Sequence, residues 1–110
     1  MRDRAVFDRF RTEGRRVRGG ALWCTWIADD AAVPPRVAYA IGRTVGSAVV
    51  RNRLRRRLRA LAHDWARAGE LRPGWYLVGA TPTAATLDRA ALASMFSQLM
   101  TKIDTEATGE

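Results

Sequence analysis

Val6, Phe7 and Phe10 fall at helical spacing among Asp and Arg residues, and Gly14 closes the run, so the pattern predicts a short helix from Arg4 to Thr12. Beyond Val17 the period changes. Large and small side chains alternate over Leu22 to Ile27, rich in Trp and Thr, and an Asp-rich turn follows. This predicts a strand, preceded by a short one around Arg16 to Arg18. Pro34 and Pro35 break the chain, after which Val37, Tyr39 and Ile41 recur at period two in RVAYAIG. A second long strand is predicted there, paired with the first across the intervening turn.

The longest pattern starts at Ser47, a favoured N-cap. At about 100° per residue, Val50, Leu54, Leu58, Leu61 and Trp65 share roughly a quarter of the wheel and predict a buried stripe. Arg51, Arg55, Arg59, Asn52, Arg56 and His63 spread over the opposite side, and Arg53 and Arg57 flank the stripe. After Ala68-Gly69 and Pro73-Gly74, WYLVGA reads as a buried strand, and TPTAAT leads into a last helix packed through Leu92, Met95, Phe96, Leu99 and Ile103. The tail from about residue 104, DTEATGE, is polar and predicted to fray. No repeat or linker divides the chain, so residues 1–110 read as one domain. The element order gives an α+β or α/β sandwich with a small sheet. Its strand, arginine helix and following strand would make a parallel crossover, right-handed by default.

Composition narrows the class of partner. With 110 residues, 47% of them apolar, the chain has material for one modest core. Its net charge of +8 and pI near 11.3 point to polyanions. Lys102 is the only lysine; arginine brings a planar fork of donors that suits phosphate and stacks on bases, although a GC-rich genome would favour it too. Cys24 stands alone, which excludes a disulfide framework and fits a reducing, cytoplasmic setting. No secretory signal and no run of about 18 apolar residues is present, so the chain reads as soluble, with no membrane role.

Six of the nine residues from Arg51 to Arg59 are arginine, and none is acidic. A merely solvated face would mix signs, because like charges a turn apart repel. A membrane-surface helix would need its apolar stripe free for lipid, and here the neighbouring strands claim it. Nucleic acid is the remaining polyanion, bound with a steep salt dependence. A major-groove recognition helix would interleave base readers, whereas this face carries phosphate chemistry and one amide, Asn52, which favours folded RNA over DNA. Phe7, Phe10, Trp23 and Tyr39 are candidate stacking surfaces for an unpaired strand. No protein catalyst is apparent: His63, the only histidine, lies on the basic face, and Asp29-Asp30 reads as a solvated turn pair.

The run GRTVGSAVVRNRLRRRLRAL resembles the signature of the bacterial ribonuclease P protein subunit, in which a strand, a basic loop with Val-Gly and an Arg-Asn-Arg helix follow one another. FDRFRTEGRRVRGGALW, RVAYAIG, RPGWYLVGA and the last helix extend the resemblance over nearly the whole chain. It implies an αβββαβα sandwich around a mixed sheet, ribosomal protein S5 domain 2-like, with a left-handed crossover in place of the default hand. It also implies a monomer with no active site of its own, one copy per catalytic RNA. That RNA would use magnesium, held mainly by the RNA itself, to cut the 5′ leader from precursor tRNA. Arg43, Arg51, Asn52, Arg53, Arg55, Arg56, Arg57 and Arg59 are then expected to bind RNA. Phe7, Phe10, Arg11, Trp23, Thr25 and Tyr39, with Arg9 nearby, are expected to form a leader cleft between the first helix and the sheet.

The chain departs from the family pattern in places. Gly42-Arg43-Thr44 stands where Ser-Lys-Lys is common, Arg11 falls where the family often has phenylalanine, and the basic arm before Ala5 is short. Two other readings share the charge logic: a non-enzymatic RNA-binding module such as a ribosome-associated protein, and a DNA-binding regulator, which would dimerise.

Overall fold

The structure, a computed structural model, describes residues 4–108, with side chains from 8 to 106. Among these residues three α-helices and four strands follow in the order α1 (Arg4–Glu13), β1 (Arg15–Gly19), β2 (Leu22–Ala28), β3 (Arg36–Ala40), α2 (Ala48–Arg67), β4 (Gly74–Ala80) and α3 (Arg89–Thr108). This is the α+β arrangement of one small mixed sheet with three helices. No helix among the described residues is long and apolar enough to cross a membrane.

The sheet order is β1-β2-β4-β3. β1 and β2 form a hairpin in register from Arg15↔Trp26 to Gly19↔Leu22, β4 lies antiparallel to β2, and β3 runs parallel to β4, the two joined through α2. The expected pairing of RVAYAIG with the strand before it is therefore wrong. Its cause lies in residues 29–35, a connection with two prolines. Neighbouring strands are about 4.8 Å apart, and a link of that length is long enough to step over one strand, so β4 takes the place beside β2.

Strand parity then fixes two faces. Leu22, Cys24 and Trp26 of β2 and Tyr76 and Val78 of β4 turn towards α2 and α3, where Leu54, Leu58, Leu92, Phe96 and Leu99 close the core. Trp65 meets Phe96 edge to face, with ring centroids 6.5 Å apart. Cys24 is wholly buried, and that burial pushes its thiol up to about 12, leaving it a packing residue rather than a nucleophile. Trp23, Thr25 and Ile27 point to the opposite face, where α1 lies across β2 through the buried Phe10.

α3 continues to Thr108 instead of ending in a frayed tail near 104. Asp104 pairs with Arg72 at 2.7 Å, and Ile103, one residue earlier, is buried in the core; both hold the last turns against the sheet.

Candidate nucleic-acid interface

Ser47 opens α2 as the sequence predicts, its Oγ accepting the Val50 N–H at 3.3 Å. Before it, Arg43–Val45 forms a single 3-10 turn that buries Val45 and leaves Arg43 exposed. Gly46 closes the turn at φ 155, and a Cβ there would lie 2.9 Å from Val50 Cγ1. Loop and helix thus meet in a tight corner, so Arg43 and the first arginines of α2 stand on one rigid edge.

Along α2 the buried centre of the stripe is Leu54, Leu58 and Ala62, with Val50, Leu61 and Trp65 half-buried beside it. The arginines emerge around it. Asn52, Arg53, Arg56 and Arg59 are exposed, while Arg51, Arg55 and Arg57 lie half-buried along the edges. None of them forms an ion pair among the described residues, whereas Arg9, Arg11 and Arg72 do pair with carboxylates. Neutral partners aim several of them instead. Arg51 Nε donates to the Gly46 carbonyl at 3.2 Å, Arg55 Nη1 donates to Asn52 Oδ1 at 2.8 Å, and the Arg59 guanidinium lies 6.0 Å from the Tyr39 ring centre. Asn52 is thus a neutral brace inside the arginine run: it fixes the direction of Arg55 without cancelling its charge.

The residues expected to form one cleft do not all come together. Trp23 and Thr25 share the α1 face of the sheet, but Tyr39 pairs with Val78 and belongs to the helix-packed face under Arg59. Burial raises the Tyr39 phenol above its ordinary range, with Arg59 acting the other way. Phe10 is only 5% exposed, so it anchors α1 rather than offering a stacking surface. Arg11 is exposed and paired with Asp8. Phe7 lies outside the residues whose side chains are described.

A residue not foreseen completes this face. The Arg16 guanidinium lies 4.2 Å from the Trp23 ring centre, and its Nε donates to Thr25 Oγ1 at 3.3 Å. Beneath the indole is Gly79 of β4, where a Cβ would collide with the Trp23 ring. The glycine pair Gly19-Gly20 held the clue, since a tight turn at Gly20-Ala21, with Gly20 at φ 61, sets Arg16 opposite Thr25. Gly79→Ala should therefore expel the indole from its bed. An upfield-shifted set of Arg16 side-chain NMR resonances is expected in the parent and should move towards random-coil positions in the variant; unchanged shifts would refute the stacked geometry.

Asp29 is likewise more than a solvated turn residue. Its carboxylate accepts from Trp75 Nε1 and from the Ala31 N–H, both at 3.0 Å, and Arg9 Nη1 lies 3.9 Å away. The Trp75 hydrogen bond, then the Ala31 amide, hold its pKa below the usual carboxylate value, with a smaller contribution from Arg9. Through this carboxylate α1, the β2–β3 turn and β4 are joined, which sets where α1 lies beside the Trp23 face.

A family model described as Ribonuclease P matches residues 1–104. The chain is 39% identical over 108 residues to the ribonuclease P protein component of Thermobifida fusca, covering 91% of this chain and 72% of that one. It is 34% identical over 113 residues to the corresponding component of Nocardioides, covering 99% and 94%. Among solved structures, the Staphylococcus aureus RNase P protein superposes with a TM-score of 0.83 at 16% identity, over 94% of this chain and 93% of that one. The RNase P protein from Thermotoga maritima gives 0.77 at 17%, over 93% and 94%. The arginine helix behind its Val-Gly corner, the matching sheet and these likenesses agree: the chain belongs to the ribonuclease P protein family.

Proposed function

We propose that this protein is the protein subunit of ribonuclease P. In this reading it binds the catalytic RNA and the 5′ leader of precursor tRNA, and promotes magnesium-dependent endonucleolytic removal of the leader to give the mature tRNA 5′ end. The observation that carries the reading is the α2 arginine row, with no carboxylate from Arg51 to Arg59 and no ion pair among the described residues to relieve it, in a chain of this family. Such a row binds phosphate with release of counterions.

Chemistry belongs to the RNA in this account. In this reading magnesium is held mainly by the RNA. The protein's own part is binding and orientation. Arg43 and the α2 arginines neutralise phosphates of the catalytic RNA, which lowers the magnesium needed to fold it. The leader lies on the sheet face beside α1, with a base beside the Arg16–Trp23 stack and phosphates near Arg9, Arg11 and Arg16. Holding the leader favours precursor over leaderless product, a discrimination made by binding energy remote from the scissile bond. The protein acts in the cytoplasm, one copy per RNA.

Cleavage of a 5′-leader precursor tRNA by a bacterial ribonuclease P RNA at low magnesium, with and without the protein, tests the reading. Accurate cleavage restored by the protein is expected. Tight RNA binding without such rescue would overturn it in favour of a non-enzymatic RNA-binding module.

A further inference from the structure

α2 and the start of α3 enclose a groove of about 570 Å³, within the roughly 300–1,000 Å³ range of small-ligand sites. Arg53, Arg56 and Arg57 line it from α2 and Arg89 from α3, with Ala60, Leu61 and Leu92 supplying an apolar surface. Asp64 is the single carboxylate among the lining residues. No ion pair involves any of these four guanidinium groups or Asp64 among the described residues. The nearby Asp88 is engaged in capping α3, its Oδ1 accepting the Ala91 N–H at 2.8 Å. Four like charges are thus gathered from two helices around an apolar floor, and no ion pair among the described residues neutralises them.

We infer that this groove receives one unpaired nucleotide of the bound RNA, with its phosphates on the arginines, its base against Leu61 and Ala60, and a base amino group donating to Asp64. Duplex phosphates would satisfy the arginines but would leave the apolar floor and the carboxylate without a role. An unpaired nucleotide matches all three, because it carries anionic oxygens, a flat apolar face and an N–H edge. The inference rests on the RNA-binding reading above and adds Arg89, Asp64 and Leu61 to the contact surface, extending it from α2 onto α3.

Asp64 gives the test a sign. In a basic groove that held phosphate alone, removing a carboxylate would strengthen RNA binding, since it removes repulsion. Where the carboxylate accepts from a base, its removal weakens binding by about two- to tenfold, the range of one net hydrogen bond. Affinity for a bacterial ribonuclease P RNA would be measured from about 50 to 200 mM salt for the parent, Asp64→Ala, Arg57→Ala with Arg89→Ala, and Arg55→Ala with Arg59→Ala, the last pair lying outside the groove. Thermal melts would verify that each variant is folded.

The groove pair should lower affinity and flatten the salt slope by about 1.4 to 1.8, so that its loss relative to parent is about tenfold greater at the low end of that salt range than at the high end. Asp64→Ala should also bind more weakly. Unchanged affinity for the groove pair, with the Arg55 and Arg59 pair weakened, would overturn the inference and leave the RNA-binding reading standing. Tighter binding by Asp64→Ala would overturn the base contact, and with it the proposed nucleotide. Full affinity in both arginine pairs would remove the RNA-binding reading itself.

Discussion

Leu58→Ala should lower the free energy of unfolding by about 2 to 5 kcal/mol. Leu58 has no exposed surface and stands between Leu54 and Ala62 at the centre of the α2 stripe. Two costs add when it is shortened: lost transfer of the removed carbons, and a cavity between helix and sheet that the core closes only in part. α2 depends on this stripe more than most helices would. From Arg51 to Arg59 its exposed side carries arginines at successive turns with no acid between them, so intrahelical charge opposes the helix, and packing must supply the difference. Urea unfolding measures the loss as a fall in midpoint at constant slope. Val49→Ala, near the start of the same helix and 73% exposed, is the matched control and should change stability by no more than about 0.5 kcal/mol. Equal midpoints for parent and Leu58→Ala would mean that α2 presents another face to the sheet.

The contrast between these two residues was legible in the sequence because helical burial repeats at short range. Leu54 and Leu58, the Ser47 cap and the α3 stripe through Leu92, Phe96 and Leu99 all follow from local spacing. Strand order did not, since pairing depends on contacts distant along the chain. The alternation of Val37, Tyr39 and Ile41 announces a strand, yet it does not say that β4 lies between that strand and β2. The same gap misplaced Tyr39. Trp23 and Tyr39 each sit at a period-two position, but the chain of pairings Tyr39↔Val78 and Val78↔Cys24 puts Tyr39 level with Cys24, one residue and therefore one face away from Trp23. Phe10 shows a related limit: a helical aromatic with a polar neighbourhood reads as available, and only the docking of α1 on β2 shows it enclosed. Arg89 was invisible for the same reason, because its nearness to Arg53 and Arg57 comes from the packing of two helices that β4 separates in the sequence. The charged face of α2 was readable throughout, since a run of one sign within a single helix needs no tertiary information.

Arg55→Ala combined with Arg56→Ala should weaken assembly with the RNA and reduce the salt slope by about 1.4 to 1.8, the share of two phosphate contacts, while leaving the fold intact. Neither side chain forms an ion pair among the described residues, and both stand outside the buried stripe. Removing them leaves the buried stripe untouched and relieves like-charge repulsion, which offsets the lost contacts of the half-buried Arg55, so the variant should melt near the parent temperature. The two arginines differ in how they are prepared. Arg55 is held by Asn52 at 2.8 Å before any RNA arrives, so part of its side-chain ordering cost is already met in the free protein. Asn52→Ala leaves the charge count alone and removes that brace. It should therefore reduce affinity with no change in salt slope, which separates orientation from charge within one helix. If the double arginine variant kept both parent affinity and parent slope, the row would be no phosphate surface, and its uncompensated charge would need another anion to explain it.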